Sequence, residues 1–505
     1  MEWTLAQKIG QLVMCSLDGR EIDAETEAFL RRYHVGNIIH FGNNVYGFED
    51  ARALNKRLEA LIRESCAGVS PLIAVDHEGG RVQRFSQGMT WFPPQMALAA
   101  ADDESLTREV GEAMGAELRA AGFNLSFSPV VDVNSNPQNP VIGARSFGDR
   151  AEDVVRHARA LAAGLRSAGV AACLKHFPGH GDTALDSHYA LPKVEKGREA
   201  LEREELAPYR ALCGQVPCVM TTHILFPALE KENVPATMSP AILRGVLRED
   251  IGFDGVIVTD GMHMRAIADH YGVQRGCVEA VKAGCDLLCV GTGGAGARNS
   301  QAKCMEALLQ AAQSGELPME RIDEAVGRVL RLKAWLAEQA AAREPDFEKH
   351  AKLNAQVCER AVTALTPLDA PISGRIVCTS APVRELAYGL THADPRSQSF
   401  AEIAGALLNA PRAALDGLPD DCDTLLIGAN ALTPDCPALK QANEALERGM
   451  RVGLVLTGLP YGAPLVPKGC AAVCVYGLTP QTVAAALDVL MGRKKAVGHL
   501  PVTVL

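Results

Sequence analysis

The stretch Ala171-Ala172-Cys173-Leu174-Lys175-His176-Phe177-Pro178-Gly179-His180-Gly181-Asp182-Thr183-Ala184-Leu185-Asp186-Ser187-His188 begins as a buried strand and ends as a polar loop. Residues 171–174 are small and apolar. Lys175 and His176 end the run, and Pro178, Gly179 and Gly181 let the chain turn sharply. The same form, an apolar run closing on a reactive side chain, recurs along the chain. Candidate strands cover residues 11–16, 35–41, 71–76, 125–131, 171–176, 218–223, 255–260 and 285–290. Helical sequence fills most intervals. Asp103 is placed to cap a helix with Leu106, Val110, Met114 and Leu118 on one face, stopped by Gly122. Ser239-Pro240 is a cap followed by an N1 proline. Eight such units predict an α/β fold, a (β/α)8 TIM-type barrel. An open doubly wound sheet is disfavoured because no G-x-G-x-x-G follows an early strand. A barrel gathers its chemistry where strands end, and the endings here are Asp76, Asp132, Lys175-His176, His223 and Asp260.

The alternation lapses after residue 312 and resumes with candidate strands at 375–379, 424–427, 451–456 and 471–475. The expected organisation is a barrel over 1–342, a helical linker over 343–369 with a helix at 354–365, and a smaller α/β sandwich domain over 370–505. That division suits 505 residues. A hydrophobic content of 48% with 22% charged residues excludes a disordered chain. A net charge of −10 gives no general attraction to nucleic acid, and no apolar run reaches the roughly 18 residues of a membrane span, so neither partner is expected. The first residues lack a secretory n-region and h-region, and the fifteen scattered cysteines form no C-x-x-C pair. Both features predict a cytoplasmic address.

Four segments carry the chemistry. Lys175 to His188 holds three histidines, two aspartates and a lysine, too many for an ordinary surface turn. In Val258-Thr259-Asp260-Gly261-Met262-His263 a carboxylate ends a strand buried on both faces. It is either catalytic or the partner of a barrel cation. Asp76-His77-Glu78-Gly79-Gly80-Arg81-Val82-Gln83-Arg84 combines charges with a double glycine that permits close backbone approach. Asn139 to Gly148 sets Arg145 in a glycine-containing loop that by itself reads equally well as a plain loop or a site.

Taken in order, these segments resemble the β-N-acetylglucosaminidases of glycoside hydrolase family 3, and the last third resembles the extra carboxy-terminal domain of some members. The resemblance implies that Asp260 is the nucleophile and that Asp186-Ser187-His188 is the Asp-x-His dyad, with His188 the general acid/base and Asp186 its orienting partner. It implies that Asp76, Arg84, Arg145, Lys175 and His176 hold the sugar. Asp132 and His223 would support them, and His180 and Asp182 would shape the loop. The implied substrates are small glycosides, muropeptide or chitooligosaccharide fragments among them, and no cofactor or metal is implied. A histidine suits the acid role because its ordinary pKa of about 6.5 lets it donate and accept protons near neutrality. Two positions depart from the family pattern: His77 stands where glutamine is usual, and Gly261-Met262-His263 is an uncommon continuation after the nucleophile.

Three other readings fit parts of the sequence. A phosphorylase would use the same nucleophile with phosphate as acceptor, and a histidine acid/base would not repel that anion. A metal-dependent barrel hydrolase would draw ligands from His176, His180, Asp182, His188, His223 and Asp260, although no H-E-x-x-H helix is present. A sugar-binding protein without turnover would be expected to lack Asp260, Asp186 or His188.

Overall fold

The computed structural model describes residues 3–186, 191–291, 294, 296–380, 397–415, 417–419 and 421–504. Eight short strands form the first sheet: β1 (Val13–Cys15), β2 (Asn37–His40), β3 (Leu72–Val75), β4 (Leu125–Ser126), β5 (Ala171–Phe177), β6 (Cys218–Thr221), β7 (Val256–Val258) and β8 (Leu288–Cys289). They pair in parallel in the order β8-β1-β2-β3-β4-β5-β6-β7. A parallel bridge from Val258 to Leu287 brings the two ends together, which closes the (β/α)8 barrel.

Seven of the eight strands are shorter than the expected runs, for local reasons, while β5 extends one residue beyond its run to Phe177. Gln11 and Leu12 belong to the helix Leu5–Leu12, which Thr4 and Gln7 start with a reciprocal capping box. The run 125–131 leaves the sheet after Ser126, since Pro129 has no N–H for the ladder. Val130 rejoins through a bridge to Lys175. The expected caps are present. Asp103 accepts from Leu106 N at 3.0 Å, and Ser239 Oγ accepts from Ile242 N at 3.1 Å.

The second sheet comprises β9 (Thr363–Ala364), β10 (Ile376–Ser380), β11 (Arg412–Ala413), β12 (Thr424–Ala429), β13 (Arg451–Leu456) and β14 (Cys470–Cys474). Its order is β9-β14-β13-β12-β10-β11, parallel except for β9 against β14. The stretch expected to be helical at 354–365 divides. Its helix runs Phe347–Ala361 from an Asp346 cap, and Thr363 and Ala364 pair with Cys474 and Val473 instead. Met96, Ala97 and Ala100, on a helix next to the barrel mouth, pack into the core on one face of this sheet. The joint is polar as well. Thr90 N and Oγ1 donate to Glu117 at 2.8 and 2.5 Å, and His350 Nδ1 meets the same carboxylate at 2.7 Å. Among the described residues no helix is long and apolar enough to cross a membrane.

Candidate active site

At the carboxyl ends of β3, β4 and β5 lies a ring of interlocked charges. Asp76 follows β3 and accepts from Arg84 Nη2 at 2.6 Å and from Lys175 Nζ at 2.9 Å. Glu78, only 2% exposed, binds Arg145 through two parallel bonds of 2.8 and 2.9 Å and meets Lys175 Nζ at 2.5 Å. Lys175 thus bridges two carboxylates at the end of β5 and is itself 1% exposed. Such burial is unfavourable for an isolated charge, and only mutual pairing makes it tolerable. Burial alone would raise the Asp76 and Glu78 carboxyls. For Asp76 the charges of Lys175 and Arg84 overcome it and hold the group well below the carboxylate range. For Glu78, Arg145 and Lys175 hold the pKa to about 2. Burial would likewise lower Lys175, but Asp76 and Glu78 carry it above its ordinary value.

The local chain explains how these groups meet. Residues His77–Gly79 and Val82–Gln83 form a small antiparallel hairpin that folds over the mouth, placing Glu78 inside and returning Arg84 beside Asp76. Gly79 has φ +90°, and a Cβ there would stand 2.6 Å from the Pro93 carbonyl, so the turn requires glycine. The Arg84 guanidinium also lies over the Phe41 ring, 5.7 Å from its centroid.

Asp132 organises the loop after β5. Its Oδ2 meets His176 Nδ1 at 2.7 Å, while Oδ1 accepts the backbone N–H groups of His176 at 3.2 Å and His180 at 2.7 Å. With Nδ1 committed to Asp132, His176 turns Nε2 toward Arg145 Nη2 at 3.4 Å. His180 is buried, and its Nδ1 lies 2.8 Å from Thr183 Oγ1. Burial, reinforced by His176, lowers its pKa to about 4, so it is neutral near pH 7. Asp182 lies at the neck of the loop, 3.5 Å from Lys196 Nζ. Asp186 is partly exposed just before the loop leaves the described residues, and His188 lies outside them.

On the facing side of the mouth, Asp260 follows β7, and its Oδ1 accepts from Gly261 N at 2.7 Å. His223 braces that turn. Its Nε2 reaches the Gly261 carbonyl at 3.1 Å, and its Nδ1 lies 2.9 Å from Thr237 Oγ1. Cys289, at the end of β8, is pushed up first by burial and then by the charges of Asp260 and Asp76. His77, one of the two departures from the family pattern, is buried in the hairpin beside Phe85.

The fold therefore brings Asp76, Arg84, Arg145, Lys175, His176 and Asp132 into one network, and braces Asp260 through His223. Among the described residues no group of three His, Cys, Asp or Glu side chains is arranged to hold a metal ion, and His176, His180 and His223 bond to protein groups. Glu78 is the site residue that the sequence reading passed over. Its signal was the charge between Asp76 and the double glycine, which reads as a surface turn unless the hairpin is known. Gln95 lay outside the four segments, and Asn139 opened one of them without a role of its own. Gln95 Nε2 donates to the Arg145 and Val130 carbonyls at 2.7 and 2.8 Å, and Asn139 Nδ2 donates to the His180 carbonyl at 2.8 Å.

Residues 4–332 match the Glycosyl hydrolase family 3 N terminal domain, and the chain belongs to that family. A structure of a glycoside hydrolase family 3 beta-N-acetylglucosaminidase from Paenibacillus sp. str. FPU-7 superposes with a TM-score of 0.89 at 34% identity, covering 100% of this chain and 99% of that one. A beta-hexosaminidase of Alkalilimnicola ehrlichii is 41% identical over 287 residues, 55% of this chain and 80% of the relative. Beta-hexosaminidase A of Pseudoalteromonas piscicida is 33% identical over 336 residues, 63% of this chain, and the match spans 56% of that longer relative.

Proposed function

We propose that this family 3 glycoside hydrolase removes terminal, β-linked N-acetylglucosamine from small glycosides with retention of configuration. The observation that carries the reading is the charge ring. Asp76 and Glu78 are locked to Arg84, Arg145 and Lys175 across the mouth from an aspartate at the end of β7, an arrangement suited to an uncharged polyhydroxyl ring presented to one carboxylate. The names of the relatives, beta-hexosaminidase and beta-N-acetylglucosaminidase, supply the sugar.

In this reading Asp260 attacks the anomeric carbon and the leaving oxygen takes a proton from His188, which Asp186 orients. His188 then removes a proton from water. That water attacks the same carbon and releases Asp260, and two inversions amount to retention. Asp76, Arg84, Arg145, Lys175 and His176 hold the sugar, and Asp132 and His223 keep the framework in place. We place the catalytic barrel at 1–342, the linker at 343–369 and the sandwich domain at 370–505. A cytoplasmic address is supported by fifteen cysteines that are all unpaired.

The test is hydrolysis of a chromogenic β-N-acetylglucosaminide, with and without phosphate, by the wild type and by Asp260→Ala. The expected result is activity indifferent to phosphate and reduced by about 10⁴-fold or more in the variant. Phosphate stimulation with sugar phosphate as product would make the protein a phosphorylase. Cleavage of a glucoside but not of this substrate would overturn the sugar assignment.

A further inference from the structure

Arg145, one of the cations proposed to hold the sugar, sits on a short helical turn, Gly143–Arg145, that Asn134 and Gln95 of the barrel hold directly and the second domain backs. After β13 the chain passes through Leu459 into the turn Pro460–Leu465. There the Tyr461 hydroxyl accepts from Asn134 Nδ2 at 2.8 Å, across 327 residues of sequence. Asn134 is 1% exposed, and its other atom, Oδ1, accepts from Gly143 N at 3.1 Å. Leu459 covers the same residue, since a Cβ on Gly143 would stand 3.3 Å from Leu459 Cδ1. The carbonyl end of the turn is held by Gln95, whose helix carries the Met96, Ala97 and Ala100 side chains packed into the second domain's core. The turn is thus held at its first residue by Asn134, which Tyr461 backs, and by Leu459, and at its last by a helix fastened to the second sheet.

We infer that Tyr461, acting through Asn134 and Gly143, is a positioning residue for Arg145, and that the second domain is thereby a working part of the sugar site. The inference rests on the reading of Arg145 as a sugar-holding group. Arg145 reaches Glu78 and His176 from a three-residue turn, and a turn that short has little rigidity of its own. Asn134 is a buried amide with both ends in use. When its acceptor is lost, the buried Nδ2 can regain a partner only if the amide turns, and that movement takes Oδ1 away from Gly143 N.

The test is Tyr461→Phe, which removes one oxygen. Because Arg145 would hold the sugar alike before and during reaction, the expected result is a KM raised by about tenfold with kcat changed less than about twofold. The dissociation constant of free N-acetylglucosamine, measured by calorimetry, should rise by the same factor. Tyr461→Phe should add nothing further in an Arg145→Ala background. Tyr476→Phe is the control. That hydroxyl bonds Thr363 Oγ1, on β9 of the second sheet, at 2.7 Å and not the Arg145 turn, so its loss should lower stability and leave KM alone. If Tyr461→Phe does not fold, Leu459→Ala serves in its place with the same expected KM. Wild-type KM and sugar affinity in Tyr461→Phe, or an undiminished effect without Arg145, would overturn the inference while leaving the glycosidase reading intact. A wild type that neither binds nor cleaves the sugar would take down both.

Discussion

Glu78→Gln tests the charge ring at the point where it is most closed. The substitution keeps the shape and removes one charge from a side chain that binds Arg145 twice and Lys175 once. Breaking a buried ion pair by neutralising one partner costs about 3–5 kcal/mol. The low end applies here, because Lys175 keeps Asp76 at 2.9 Å and Arg145 keeps the Val141 carbonyl and His176 Nε2, each at 3.4 Å. The Glu78 carboxyl is held from 4.5 to about 2, and at roughly 1.4 kcal/mol per unit of pKa this is also about 3 kcal/mol. The folded pKa is depressed, so this stability is present above about pH 4.5 and fades as the pH falls toward 2. The assay is urea unfolding at pH 7 followed by tryptophan fluorescence. Trp3, Trp91 and Trp335 all precede the second sheet, so the signal reports the barrel, and Trp91 Nε1 donates to Gly80 O in the hairpin itself. The expected loss is about 3 kcal/mol at pH 7, shrinking at pH 3, with KM raised by about tenfold or more as Arg145 loses its fork. A loss below about 1 kcal/mol with KM unchanged would refute the reasoning.

Three further outcomes follow from the same contacts. Lys196 Nζ ties Asp182 to Ser135, Glu204 and Glu205, closing the neck of the loop that carries the Asp-x-His triplet. Lys196→Met should therefore lower kcat by about 10- to 100-fold with a smaller change in KM, read by steady-state kinetics. Burial outweighs that lysine at Glu205 and raises its pKa to about 7, so the fold prefers the neutral acid. Stability should fall as pH rises from about 4.5 to 7, and Glu205→Gln should flatten that slope in unfolding measured across pH. Gly79→Ala forces a side chain into φ +90° and against Pro93 O. It should cost at least about 1 kcal/mol in the same urea experiment, together with loss of sugar affinity.

The sequence made the barrel legible because its strands are buried on both faces and end where chemistry is wanted. Apolar runs closing on Asp76, Lys175-His176, His223 and Asp260 are hard to produce otherwise. Strand limits were not legible, because an apolar run continues past its hydrogen bonds, as at Pro129, or is claimed by a capped helix, as at Leu12. Residues 363 and 364 continue an amphipathic pattern but belong to a strand, since the free edge of β14 satisfies their backbone groups. In the site, side chains at strand ends were readable one at a time. Glu78 was not, because its inward direction depends on a hairpin of only a few residues. Tyr461 and Asn134 carry no local signal at all, because their meaning lies in a contact between domains.

That contact bears on why the site proposed for an uncharged sugar should hold so many charges. Water is largely excluded from the ring, so each ionised group there needs a partner fixed in place. A hydroxyl both donates and accepts a hydrogen bond. Between Asp76 and its two cations, Arg84 and Lys175, a sugar hydroxyl can donate to the carboxylate and accept from a guanidinium or ammonium, and both bonds are charge-assisted. A neutral polar lining would bind the same hydroxyls more weakly, whereas a ring with unmatched charge would favour ionic ligands instead. Paired charges satisfy both demands only while their geometry holds. Their value for binding therefore depends on parts that never touch the sugar: the glycine turn beneath Glu78, the Asp132 bonds that order the β5 loop, and the tyrosine hydroxyl that the second domain places against Asn134.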